Sequence, residues 1–307
     1  MNQVSEVIAT LVNYKAIVRD TLEYTLDKDE YNKKAFELRQ KAILVELDQN
    51  TPLHQIIKNS KENGEKLEKA IRDMHELIYG ANSTIVKDAD DGLRVDHAQK
   101  IEVFKAVLPI HENLEAMVRG LVADAKKKGA DVEEASKVDL AEERLYRGVS
   151  YMTLVNCLVK LFGDYNQARR ENKGEESAAS RFISSDIQEV IKGLNTIRVN
   201  NHSLTDETYK DMEDQVFRLV EFVTGRRDLP AGKNFGEEIK LTQEKIGAYV
   251  RAVEPAFRDA FIPFMKALAE QAQKDGNVIK GDDPAAAKGP QEVEIEGEID
   301  PKTGRKA

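Results

Sequence analysis

Five His residues, at positions 54, 75, 97, 111 and 202, are the first place to look for chemistry in this chain of 307 residues. A di-iron bundle site needs Glu-x-x-His on inward-facing helices. The residues three before each His are Thr51, Arg72, Arg94, Leu108 and Val199, and none is a carboxylate. Zinc peptidase chemistry needs His-Glu-x-x-His, but His75-Glu76 is followed by Tyr79 and His111-Glu112 by Glu115. A phosphohydrolase with a His-Asp dipeptide finds only the reversed Asp96-His97. Glu112-x-x-Glu115 has the spacing of a magnesium-holding pair in helical pyrophosphohydrolases, yet no Glu-x-x-Asp accompanies it. With Gly92 as the sixth position of a calcium loop, positions one, three, five and twelve hold Lys87, Ala89, Asp91 and Ala98, which is not an EF-hand. The single Cys157 excludes a disulfide framework and a Cys-based zinc site. No cofactor is expected.

His111 sits two residues after Pro109 and four before Glu115. A His–Glu pair beside a carbonyl freed by proline can bind a ligand or respond to pH. The plainer reading is a half-buried His bonded to Glu115 or to the Lys105 carbonyl. Cys157, inside LVNCLVK, reads as a small buried hydrophobe.

Four basic clusters stand out: Lys126–Lys128; Arg169, Arg170 and Lys173; Arg226, Arg227 and Lys233; and Lys302, Arg305 and Lys306. The first three fall at expected helix C-termini, where cations complement the macrodipole. The third also spans GRRDLPAGKNFGEE, a loop with Gly225, Gly232 and Gly236 that can offer N–H groups and Arg forks to an anion. It is not a P-loop, because Arg227 stands five before Gly232 and Asn234 follows Lys233. Arg226, Arg227 and Lys233 are therefore a candidate anion site. In the C-terminal stretch, Val293, Ile295 and Ile299 alternate with Glu292, Glu294, Glu296 and Glu298. Such alternation fits a peptide that adds as a strand to a partner's sheet edge, with Lys302, Arg305 and Lys306 at its tip.

These residues must be positioned by helices. Charged residues make up 33% of the chain and aromatics only 6%, with no Trp, a composition that favours helices over strands. Val4, Val7, Leu11, Tyr14 and Val18 alternate steps of three and four, which sets one stripe on a helix. Further seams run from about residue 28 to Leu47, from Leu53 to Ile78 as one helix with weak points at Ser60 and Gly64, and from about 95 to 128 across Pro109. Others run from 131 to Phe162, Ile183 to Ile197, Tyr209 to Val223, and about 237 to 274 across Pro255 and Pro263. Asp131 with Glu134, and Thr205, read as helix caps. Residues 81–94 read as a loop, and no strand is expected in the body. Small Ala141 and Gly148 on the fifth seam would let a neighbouring helix approach closely.

The expectation is an all-α protein of about eight helices in elongated bundles, coiled-coil-like in packing: residues 1–128 as one half, 131–274 as a second, and 275–307 as a disordered tail. The tail carries −3 and the body −6 of the net charge of −9, which disfavours a nucleic-acid binder. No basic, apolar leader opens the chain and no stretch reaches a membrane span, so a cytoplasmic protein without membrane association is expected. None of these motifs carries a resemblance to a known family. The leading reading is a non-catalytic helical scaffold or adaptor whose tail recruits a protein partner or whose bundle self-associates. The alternative is an enzyme or binder for a small phosphorylated ligand, using the Arg226/Arg227/Lys233 loop with Glu112 or Glu115. Convergence of those cations and carboxylates on one pocket separates the two.

Overall fold

The computed structural model describes residues 3–24, 47, 51–79, 86–88, 92–94, 97–200, 204 and 206–274. Eight helices account for nearly all of them: α1 Gln3–Tyr24, α2 Pro52–Asn59, α3 Lys61–Tyr79, α4 His97–Lys127, α5 Glu133–Glu171, α6 Ala178–Val199, α7 Glu207–Val223 and α8 Phe235–Lys274. The protein is all-α. Most of the seam expected between residues 28 and 47, and the whole of 275–307 with Val293, Ile295, Ile299, Lys302, Arg305 and Lys306, lie outside the described residues. Leu47 is described and buried.

Helix α5 is the axis of the fold. From Leu145 to Leu158 only Met152 and Asn156 are not fully buried, so this stretch is covered on every side. Helices α1, α4 and α6 pack against it, and α4 in turn packs on α3. Residues 1–268 form one compact unit, and the turn at Gly129 between α4 and α5 lies within it. Gly148 explains how α8 reaches the axis: a Cβ there would lie 2.8 Å from Val250 Cγ2 and 3.1 Å from Tyr249 Cδ1. The small residue on the fifth seam does permit a close helix approach.

Four local expectations are corrected. The seam from Leu53 to Ile78 is two helices, not one. The Ser60 hydroxyl bonds back to Ile56 O, Lys61 takes a φ of 47°, and the chain re-enters helix at an angle. Gly64 sits at that corner, where a Cβ would come within 1.9 Å of Ile57 O. The weak points expected at Ser60 and Gly64 do flank the break, and Gly64 is small there because the approach is close. Residues 86–94 contain a short hairpin, β1 Val86–Asp88 paired antiparallel with β2 Gly92–Arg94, where only a loop was expected. Three residues per strand are too few to display a period of two. At the start of α5 the N-cap is Val132 without a side-chain bond, and Asp131 instead accepts from Glu133 N in an Asx turn. The cap of α7 is Asp206, which accepts from Tyr209 N, rather than Thr205.

Candidate functional site

Helix α1 buries two cations beside its apolar stripe. Lys15 and Arg19 are four residues apart, so they project from one face. Lys15 is completely buried, and a bare ammonium there would cost several kcal/mol, of order 5, if nothing compensated it. Its compensation comes from other helices: Nζ lies 2.5 Å from Glu115 Oε2 on α4, and 2.7 Å from Asp139 Oδ1 and 3.5 Å from Glu143 Oε2 on α5. Burial pulls the Lys15 pKa down, but the three carboxylates outweigh it and raise it above the usual lysine range. Arg19 pairs with the buried Glu142 one helical position away and lies 5.1 Å over the Phe257 ring of α8.

Arg147 continues this polar seam along α5. Its Nε donates to Glu143 Oε1 at 2.7 Å, while Nη1 and Nη2 donate to the Ile197 and Asn200 carbonyls at the end of α6. Those carbonyls belong to the last turn of a helix, which carries partial negative charge and lacks intrahelical donors. One guanidinium therefore caps α6 and neutralises Glu143. Asn200 in turn donates to Glu112 on α4.

His111 is not bonded as the plainer sequence reading had it. Its ring stacks on Tyr146 with centroids 3.4 Å apart and planes 4° from parallel, and its Nε2 faces Glu143 Oε2 at 3.5 Å. Neither atom has a hydrogen-bond partner, and both are buried. Burial pushes the His111 pKa far below the ordinary imidazole value, outweighing the pull of Glu143, so the ring is neutral near pH 7. Burial alone would raise the Glu143 carboxyl, but His111, Lys15 and Arg147 together hold it at about 2. Burial raises both Glu112 and Glu115.

These side chains surround a cavity of about 250 Å³ lined by His111, Glu112, Glu115, Arg119, Glu143, Arg147 and Asn200. The Glu112-x-x-Glu115 spacing does put both carboxylates at one site, on consecutive turns of α4. The cations of the expected anion loop are elsewhere. Arg226, Arg227 and Lys233 are exposed between α7 and α8, where Arg227 pairs with Glu221 and Lys233 lies 3.4 Å from Glu237. None of the three lines the cavity. Lys15, Asp139, Glu142, Glu143 and Arg147 were not singled out in the sequence, because they sit beside apolar seams as any solvated flank would.

Cys157 is buried, and burial lifts its thiol to about 11, as befits an inert core residue. Among the described residues, no group of three or more His, Cys, Asp or Glu is arranged to hold a metal ion. Among them too, no helix is long and apolar enough to cross a membrane. Compared with known protein families, curated proteins and solved structures, the chain matches none significantly.

Proposed function

We propose that this chain is a non-catalytic helical interaction protein, a scaffold or adaptor, whose partner-binding end is the second half of α8 together with the segment that follows it. The observation behind this reading is how that half-helix buries its apolar residues. Between Val253 and Met265 it carries Val253, Phe257, Ala260, Phe261, Ile262, Phe264 and Met265, but only Phe257 and Phe264 are fully buried. Phe261 and Met265 are partly buried against the core, and Ile262 is 45% exposed. A surface helix with one buried residue per seven leaves much of its apolar width to water. An exposed apolar residue beside partly covered ones is the kind of face that a protein partner covers. The tail adds the alternating Val293, Ile295 and Ile299 in direct chain continuity.

A light-scattering and co-purification comparison of wild type with Ile262→Asp tests the reading. A charge on that stripe should abolish self-association or partner retention while leaving the thermal midpoint within about 2 °C, as surface changes usually stay within ±0.5 kcal/mol. Unchanged association in a folded Ile262→Asp protein would refute it.

A further inference from the structure

We infer that the cavity between α4, α5 and the end of α6 is a binding site for a small organic cation bearing an ammonium group, which sits among Glu112, Glu115 and Glu143 and hydrogen-bonds to them. This site is independent of the partner-binding end proposed for α8.

Three observations carry the inference. The first is the excess of acceptors. Three carboxylates and two guanidiniums line the cavity. Arg147 is already engaged by Glu143 Oε1 and two α6 carbonyls, and Lys15, which does not line the cavity, by Glu115 Oε2 and Asp139, with Glu143 Oε2 at 3.5 Å. The nearest cation to the other oxygen of Glu115 is Arg119, whose Nε is 3.7 Å away, beyond hydrogen-bond length. The capacity left over is therefore for N–H donors carrying positive charge. An anion would meet the three carboxylates and find the deeper guanidinium occupied.

The second observation is the pair of orphaned polar atoms. His111 Nε2 and Glu143 Oε2 belong to side chains about 95% or more buried that line the cavity; they face each other at 3.5 Å, Lys15 Nζ lies 3.5 Å from Glu143 Oε2, and neither atom has a partner in hydrogen-bond geometry. Leaving a buried polar group unsatisfied costs about 1–3 kcal/mol, so two side by side on a cavity wall point to a group that completes them. An ammonium has three donors: one reaches Glu143 Oε2 and others reach Glu112 or Glu115. Neutral His111 adds an imidazole nitrogen that either donates or accepts, according to its tautomer.

The third observation is size. At about 250 Å³ the cavity falls just short of the roughly 300–1,000 Å³ of pockets for drug-sized ligands. That suits an alkylamine or a short diamine.

The test is a calorimetric titration of the full-length protein with butylamine, 1,4-diaminobutane, tetramethylammonium and inorganic phosphate. The ring proton of His111, assigned by its loss in His111→Gln, is followed by NMR in parallel. The expected result is saturable binding of one or both amines, a shift of the His111 signal, and no binding of tetramethylammonium, which is cationic but has no N–H. Glu112→Gln should weaken the binding at least tenfold. Glu112 is half-buried and accepts one bond from Asn200, so this variant keeps the fold even if Glu143→Gln does not. The inference is overturned if neither amine saturates and the cavity holds water only. It is equally overturned if tetramethylammonium binds as well as butylamine, if phosphate is the species that binds, or if Glu112→Gln leaves amine affinity unchanged.

Discussion

Lys15 shows how one side chain ties the interior together. Removing the ammonium leaves Glu115, Asp139 and Glu143 facing one another without their shared cation. Breaking a buried ion pair from one side typically costs about 3–5 kcal/mol, so Lys15→Met should lower the urea-unfolding free energy by that amount despite being apolar and of similar length. A loss under about 1 kcal/mol would place Lys15 in a solvated pair instead. Glu143 makes a second prediction, in pH. Its pKa is depressed from 4.5 to about 2, so its contribution to folding is fully present above pH 4.5 and is lost as pH falls towards 2. The stability gap between wild type and Glu143→Gln should therefore shrink across that window. Glu112 and Glu115, whose values are raised, act in the opposite sense: their contribution favours the folded state at low pH and is lost as pH rises through those raised values. Comparing wild type with Glu143→Gln, rather than wild type alone, isolates the Glu143 part. A gap that stays constant from pH 5 to 2.5 would contradict it.

At the scale of elements, apolar spacing reported the helices well and their interruptions poorly. Leu53, Ile57, Leu67, Ile71, Met74 and Ile78 are all buried, as one seam would bury them. The break at Ser60 kept the apolar phase, and its trace in the periodicity is the pair of small residues Ser60 and Gly64 on the seam. What marks the corner is Gly64, whose missing Cβ lets α3 run against the α2 backbone. Gly64→Ala should destabilise by about 1–3 kcal/mol through overpacking against a backbone carbonyl that cannot move aside. Gly120→Ala in α4, exposed and with nothing within 4 Å of an added Cβ, should stabilise by up to about 1 kcal/mol. Thermal midpoints moving in the same direction for both would show that the corner is misjudged. The cavity was half legible. Glu112 and Glu115 declared themselves by spacing, whereas Lys15, Asp139 and Glu143 look like ordinary helix flanks until residues 100 and 124 positions apart are brought together. Short-range pattern contains no record of that pairing.

At the scale of the whole molecule, a charged seam runs through a helical body while one long helix leaves an apolar stripe partly open at its far end. The body holds the buried network, and recognition is proposed for the C-terminal end. Deleting residues 275–307 should leave the thermal midpoint nearly unchanged, because chain termini with few large apolar residues contribute little to burial. Reversing Lys302, Arg305 and Lys306 should weaken capture in a salt-dependent way, since exposed charges are screened within about 8 Å at physiological ionic strength. The most direct measurement is quantitative capture from native lysate by the full chain, by the 275–307 deletion, and by Val293→Ser/Ile295→Ser/Ile299→Ser, each checked for an unchanged melt. A partner should be retained by the full chain and lost by both variants. Retention by all three at equal yield would contradict this, because the segment after α8 would then contribute nothing to capture.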